Sequence, residues 1–126
     1  MDATVNTLNW FEIPVSDFER AKKFYETIFS ITMTTMPFGG FTMGMFPSDP
    51  GNGKLSGAIV HGEYYTPSDK GVLVYLNGNP DLQKALDKVE AAGGKIMRPK
   101  SSIGEFGFMA VIFDTEGNAV ALHSNN

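Results

Sequence analysis

The apolar and polar positions of this chain change their period twice, in the same way each time. Trp10-Phe11-Glu12-Ile13-Pro14-Val15 is a short apolar-rich run. As a strand it puts Trp10 and Glu12 on one face and Phe11, Ile13 and Val15 on the other. At Ser16 the spacing becomes helical. Phe18, Ala21, Phe24, Tyr25 and Ile28 fall on one stripe, and Glu19, Arg20, Lys22, Lys23 and Glu26 fall opposite. Ser16-Asp17-Phe18-Glu19 has the form of a capping box, in which the Ser16 hydroxyl accepts the Glu19 amide and the Glu19 carboxylate accepts the Ser16 amide. The helical stripe must pack, and Phe11, Ile13 and Val15 are its natural partners, leaving Trp10 and Glu12 on the far side of the sheet.

The second occurrence begins at Val72-Leu73-Val74-Tyr75-Leu76, a strand-like run to Asn77. Asn79 is then expected to cap a helix from Pro80 to about Ala92, with Leu82, Ala85, Leu86 and Val89 as its stripe and Gly93-Gly94 as its stop. Three strands are expected after each helix. In the first half they are Ile31–Met36, Thr42–Phe46 and Ser56–His61, with Phe38-Gly39-Gly40-Phe41 as a turn and Pro47–Lys54 as a loop. In the second half they are Lys95–Met97, Phe106–Phe113 and Ala119–His123, with a loop at Pro99–Gly104 and a tight turn at Asp114-Thr115-Glu116-Gly117-Asn118. The chain is thus one strand-helix-three-strand unit used twice. The first unit runs from about residue 5 to 62 and the second from about 71 to 124. The connection, 63–70, carries Tyr64, Tyr65 and Pro67 and is too short and aromatic for a free linker.

Composition narrows the classes. The 126 residues suit a single domain that buries most of its apolar surface. There is no cysteine, which removes disulfides, thiolate ligands and thiol nucleophiles and suits a reducing compartment. The net charge of −4, with lysines and arginines scattered, gives no reason to expect nucleic acid. No signal-like segment and no window of ~18 apolar residues is present, so no membrane span is expected and the cytoplasm is the expected location. No serine sits in a strand-turn-helix elbow, so nucleophilic catalysis has no support.

Phe11 to Tyr25, Val89-Glu90-Ala91-Ala92-Gly93-Gly94-Lys95 and Phe113-Asp114-Thr115-Glu116-Gly117-Asn118 together resemble the vicinal oxygen chelate superfamily, which includes glyoxalase I, bleomycin-resistance and extradiol dioxygenase proteins. The resemblance covers nearly the whole chain. It implies an α+β fold in which two βαβββ modules form an open, U-shaped mixed sheet with helices on the convex side, a ligand in the concave cleft and, usually, a homodimer. In metal-dependent members the ligands come from the first and fourth strands of each module, typically His, Gln and Glu. Carried over, those positions hold Trp10, Ile59, Leu73 and Ala121, none of which binds a hard divalent cation. The expectation is therefore no metal cofactor.

A displaced set remains. Glu12, His61, Tyr75 and His123 each lie two residues beyond one of those positions, which keeps the strand face and moves the group about 7 Å. If they converge, Glu12, His61 and His123 provide an alternative divalent-metal or proton-transfer site. The plainer account gives each histidine a loop hydrogen bond. Trp10 is either core or a platform for a planar ligand. Met33, Met43, Met45, Met97 and Met109 are adaptable packing, and the Gly-aromatic loops Phe38–Phe41 and Glu105–Phe108 can gate a mouth. The resulting expectation is a small apolar or aromatic molecule bound by Trp10, Glu12, His61, Tyr75, Asn77 and His123, with binding alone as the function. A glyoxalase-type lyase, isomerase or dioxygenase using the displaced site is the alternative, and an interaction module working through its dimer surface is the third.

Overall fold

The computed structural model describes residues 1–49 and 51–126; Pro50, within the expected Pro47–Lys54 loop, lies outside the described residues. The order is β1 (Trp10–Pro14), α1 (Phe18–Phe29), β2 (Thr34–Phe38), β3 (Phe41–Met45), β4 (Ser56–His61), β5 (Tyr75–Asn77), α2 (Gln83–Val89), β6 (Lys95–Ser102), a 3-10 turn at Gly104–Phe106, β7 (Phe108–Phe113) and β8 (Ala119–Ser124). The doubled βαβββ unit is thus present, in an α+β fold. Its strands form two four-stranded mixed sheets, one per module, ordered β1-β4-β3-β2 and β5-β8-β7-β6. Among the described residues β1 and β5 each lie at one edge of their sheet.

The stripes pack as their periods require. Ile13 and Val15 join Ala21, Phe24, Tyr25 and Ile28 in a core that also takes Leu82, Leu86, Val89 and Leu122 from the second module. Phe24 crosses between the modules to lie on Gly94, where a Cβ would stand 2.7 Å from its ring and 2.6 Å from the Phe113 carbonyl. The glycine pair that was expected only to stop a helix is therefore also a bearing surface for α1.

Both helix starts differ from the expected ones. Asp17, not Ser16, caps α1, its Oδ1 accepting the Arg20 amide at 3.1 Å. The Ser16 and Asp17 amides donate to Glu116 Oε1 at 3.0 and 2.7 Å, so the carboxylate that completes the cap comes from the β7–β8 turn and not from Glu19. Asn79 does not cap α2: its side chain accepts the Asn125 amide at 2.8 Å. Near the start of α2 the Leu82 amide donates to Ser124 Oγ and the Gln83 amide to Asp81 Oδ1. A distant acceptor thus supplements a local one at both starts, Glu116 beside Asp17 and Ser124 beside Asp81. β6 runs past Pro99 because it is an edge strand, with register shifts between Ile96 and Arg98 and between Arg98 and Ser101 that absorb the proline.

The β7–β8 turn ties the modules together. Asp114, buried, accepts the Tyr25 hydroxyl at 2.7 Å, the amides of Glu116 and Asn118 at 2.8 and 2.9 Å, and the Asn118 side-chain amide at 2.9 Å. Burial, then the adjacent Asp114 carboxylate, push the Tyr25 phenol well above its usual range. Glu116, its side chain wholly covered, also takes Arg20 Nε at 2.8 Å. Burial pushes the Glu116 carboxyl up, but Arg20, the Asp17 amide and the Thr115 hydroxyl outweigh it and hold it at about 2.

Two outcomes follow. The folded Glu116 value lies below its ordinary 4.5, so its stabilisation is complete above that pH and is lost as pH falls towards 2. Melting curves across that range should show Glu116→Gln less stable at neutral pH and with a flatter acid decline; an unchanged acid limb would refute the assignment. Gly94→Ala should cost about 1–3 kcal/mol in urea unfolding, because the added methyl must displace Phe24 or the Phe113 carbonyl.

Candidate functional site

A trough of about 1170 Å³ runs along the free edges of β1 and β5 and reaches the end of α1 and one side of α2. Its walls are mostly apolar. Leu8, Trp10, Leu55, Val72, Leu73 and Tyr75 line it while remaining solvent-exposed side chains. Phe29, Ile31 and Phe46 continue it toward the core. Such a concave, largely apolar surface with a few fixed polar groups has the character of a small-molecule site.

Strand register decides which candidates reach it. Trp10 and Glu12 lie on the side of β1 turned away from the helices, as alternation requires. Beside them on β4 stand Ser56 and Ala58, whereas Ile59 stands beside Ile13 and is buried in the shared core. Ile59, one of the positions that the resemblance carried over, thus faces the core and not the side that Trp10 and Glu12 share. His61 shares the parity of Ile59, so it belongs to the helix-facing set and ends exposed at the strand terminus. In the second sheet Tyr75 pairs with Ala121 and Asn77 with His123. Ala121 is packed with Met109 and Val111, and His123 Nε2 lies 2.6 Å from the Phe106 carbonyl oxygen. The trough therefore gathers Trp10, Glu12, Tyr75 and Asn77, together with Leu73, but neither His61 nor His123 lines it.

The displaced metal set does not assemble. Among the described residues no group of three or more His, Asp or Glu side chains is placed to hold a metal ion. Both oxygens of Glu12 already have donors: Tyr65 Oη at 2.7 Å and the Trp10 ring N–H at 3.3 Å. A carboxylate held by two neutral donors, with one histidine on the wrong strand face and another engaged by a carbonyl, is not a first coordination sphere for a hard cation. The Glu12, His61 and His123 set therefore does not fit a metal.

Tyr65 was not among the candidates, although the aromatic connection signalled packing. It folds back over β1, its ring edge-on to Phe41 at 5.3 Å between centroids. The Glu12 hydrogen bond, with some desolvation, raises its phenol above the ordinary value of 10. Lys84 and Lys88 of α2 also line the trough and were missed; their only sequence signal is a spacing of one helical turn. The methionines divide as packing demands: Met33 and Met109 are buried, while Met97 is exposed. The Phe38–Phe41 turn and the Glu105–Phe108 loop do not line the trough.

The pattern of the Glyoxalase/Bleomycin resistance protein/Dioxygenase superfamily matches residues 7–122, and the chain belongs to that family. CFP32 of Mycobacterium bovis, named as a candidate glyoxylase, is 32% identical over 124 residues, covering 95% of this chain and 46% of that protein. The same figures hold for CFP32 of Mycobacterium tuberculosis. The fold is shared with glyoxalase I from Zea mays, at a TM-score of 0.66 and 22% identity, over 94% of this chain and 46% of that one. A glyoxalase-related enzyme from Fulvimarina pelagi gives a TM-score of 0.67 at 13% identity, over 96% of this chain and 89% of the other. The chain spans about half the length of the curated relatives it matches.

The Glu12–Tyr65 contact is open to a direct check. In Glu12→Gln the negative charge that disfavours the phenolate is gone, so ultraviolet difference titration should show one tyrosine ionising closer to pH 10 than in the parent. The change should vanish in a Tyr65→Phe background.

Proposed function

We propose that this protein is a member of its family that works without a metal, binding a small, largely apolar or aromatic molecule in the trough between β1 and β5, with binding itself as the function. The observation that carries this reading is the wall: β1 presents Trp10 to the trough, and β5 and the segment leading into it present Tyr75 and Leu73, where the resemblance would put ligands in metal-dependent relatives. Trp10 offers a flat apolar face, while its ring N–H is held by Glu12, which fixes the indole. Glu12 and Asn77 supply polar contacts that can orient an occupant. A homodimer in the cytoplasm belongs to the same reading, supported by the apolar side chains left exposed along the β5 approach, Val72 at 91% and Leu73 at 38%. The glyoxalase-type lyase, isomerase or dioxygenase reading is supported by the names of relatives, but the Glu12, His61 and His123 donors it needs do not converge.

Trp10 is the single tryptophan, so its emission reports on the trough alone. Titration with neutral planar aromatics should give saturable quenching that Trp10→Phe abolishes as a signal and Leu73→Glu weakens at least tenfold in calorimetry. Metal analysis of the purified protein should find no stoichiometric divalent ion, and a chelator should leave the melting midpoint unchanged. A midpoint that falls on chelation would overturn the metal-free reading.

A further inference from the structure

The trough has a polar end, where two lysines stand outside the ion pairs formed among the described residues. Lys84 and Lys88, one turn apart on α2, both line it, with Ala85 between them. Its two carboxylates are already committed. Glu12 belongs to β1, on a different wall, and accepts from Tyr65 and Trp10. Asp81, three residues before Lys84, is paired with Lys100 at 2.8 Å and feels the Lys84 charge without forming an ion pair with it. Neither Lys84 nor Lys88 takes part in any of the ion pairs among the described residues.

Lys88 is also held in place. Its Nζ donates to Ser30 Oγ at 2.7 Å, at the C-terminal cap of α1. An ammonium carries three donors, so two remain for an occupant. Trp10, Leu73 and Tyr75 then provide an apolar floor, and the two ammonium groups a cationic rim, within one concavity.

We infer, given that the trough is a ligand site, that its occupant is a small amphiphilic anion: an aromatic or aliphatic body lying on Trp10, Leu73 and Tyr75, with a carboxylate taken by Lys84 and Lys88. A carboxylate accepts from two ammonium groups through charge-assisted hydrogen bonds. Because both lysines are solvent-exposed, the discrimination is moderate, about five- to tenfold over a neutral molecule of the same shape.

The test compares 2-naphthoate with 2-naphthalenemethanol, which share a ring system and differ in charge, by isothermal titration calorimetry against the full chain. The parent should bind 2-naphthoate about five- to tenfold more tightly, with the preference shrinking as salt rises. The double variant Lys84→Gln/Lys88→Gln should bind both probes alike, and Lys84→Arg/Lys88→Arg should keep the preference. Equal affinities in the parent, or a preference that survives in the Gln variant, would overturn the anionic ligand class while leaving the apolar site intact. If neither probe binds, both the ligand class and the binding function of the trough fall.

Discussion

Asp114 and Glu116 stand two residues apart on one turn, and between them they fix the first module against the second. Asp114 takes the Tyr25 phenol from the middle of α1, while Glu116 takes two amides at its start and the Arg20 guanidinium. Asn118, on the same turn, donates to the Pro14 carbonyl at the end of β1 and accepts the Ser68 amide of the connection. Of these groups Tyr25, Asp114 and Asn118 are buried, so a substitution that removed one partner while the modules stayed packed would leave a buried polar atom unsatisfied. The turn therefore sets where β1 and the connection lie relative to β5 and β8, and so sets the trough.

The trough follows from that placement. β1 and β5 are the free edges of two sheets, and free edges brought near each other leave a channel lined by alternating side chains from both. Those side chains are indole, phenol and aliphatic groups, so the channel is apolar. Tyr65, carried by the connection, engages the one acidic side chain that β1 contributes. Glu12 is thereby kept as an oriented acceptor within a hydrogen-bonded trio.

Membership of the family and the donor set of this chain point in different directions. The fold is one on which many reactions are performed, and it does not select among them. On the reading proposed above the site does the selecting, Trp10 supplying stacking area at a strand position where an imidazole or carboxylate would supply a lone pair. The relatives that share the fold over nearly all of this chain are in part twice its length, so their whole-protein activities rest on more than the portion matched here.

The doubled module, the core stripes of α1 and α2, the strand at Ser56–His61 and the outward face of Trp10 and Glu12 were legible because each depends only on local period, which side-chain direction enforces. The helix caps were not, because Ser16, Glu19 and Asn79 are good local capping residues whose roles were taken partly by their neighbours Asp17 and Asp81 and partly by Glu116 and Ser124 from distant segments. His61 and Ile59 were misplaced for a related reason: relative register between β1 and β4 is a tertiary quantity, and a slip of one residue turns a side chain to the other face. The pattern along the chain thus determined which elements form and which way each one faces. Only folding decided which elements meet, because pairing register, borrowed caps and the convergence of Trp10, Tyr75 and Lys88 are set by contacts between residues far apart in sequence.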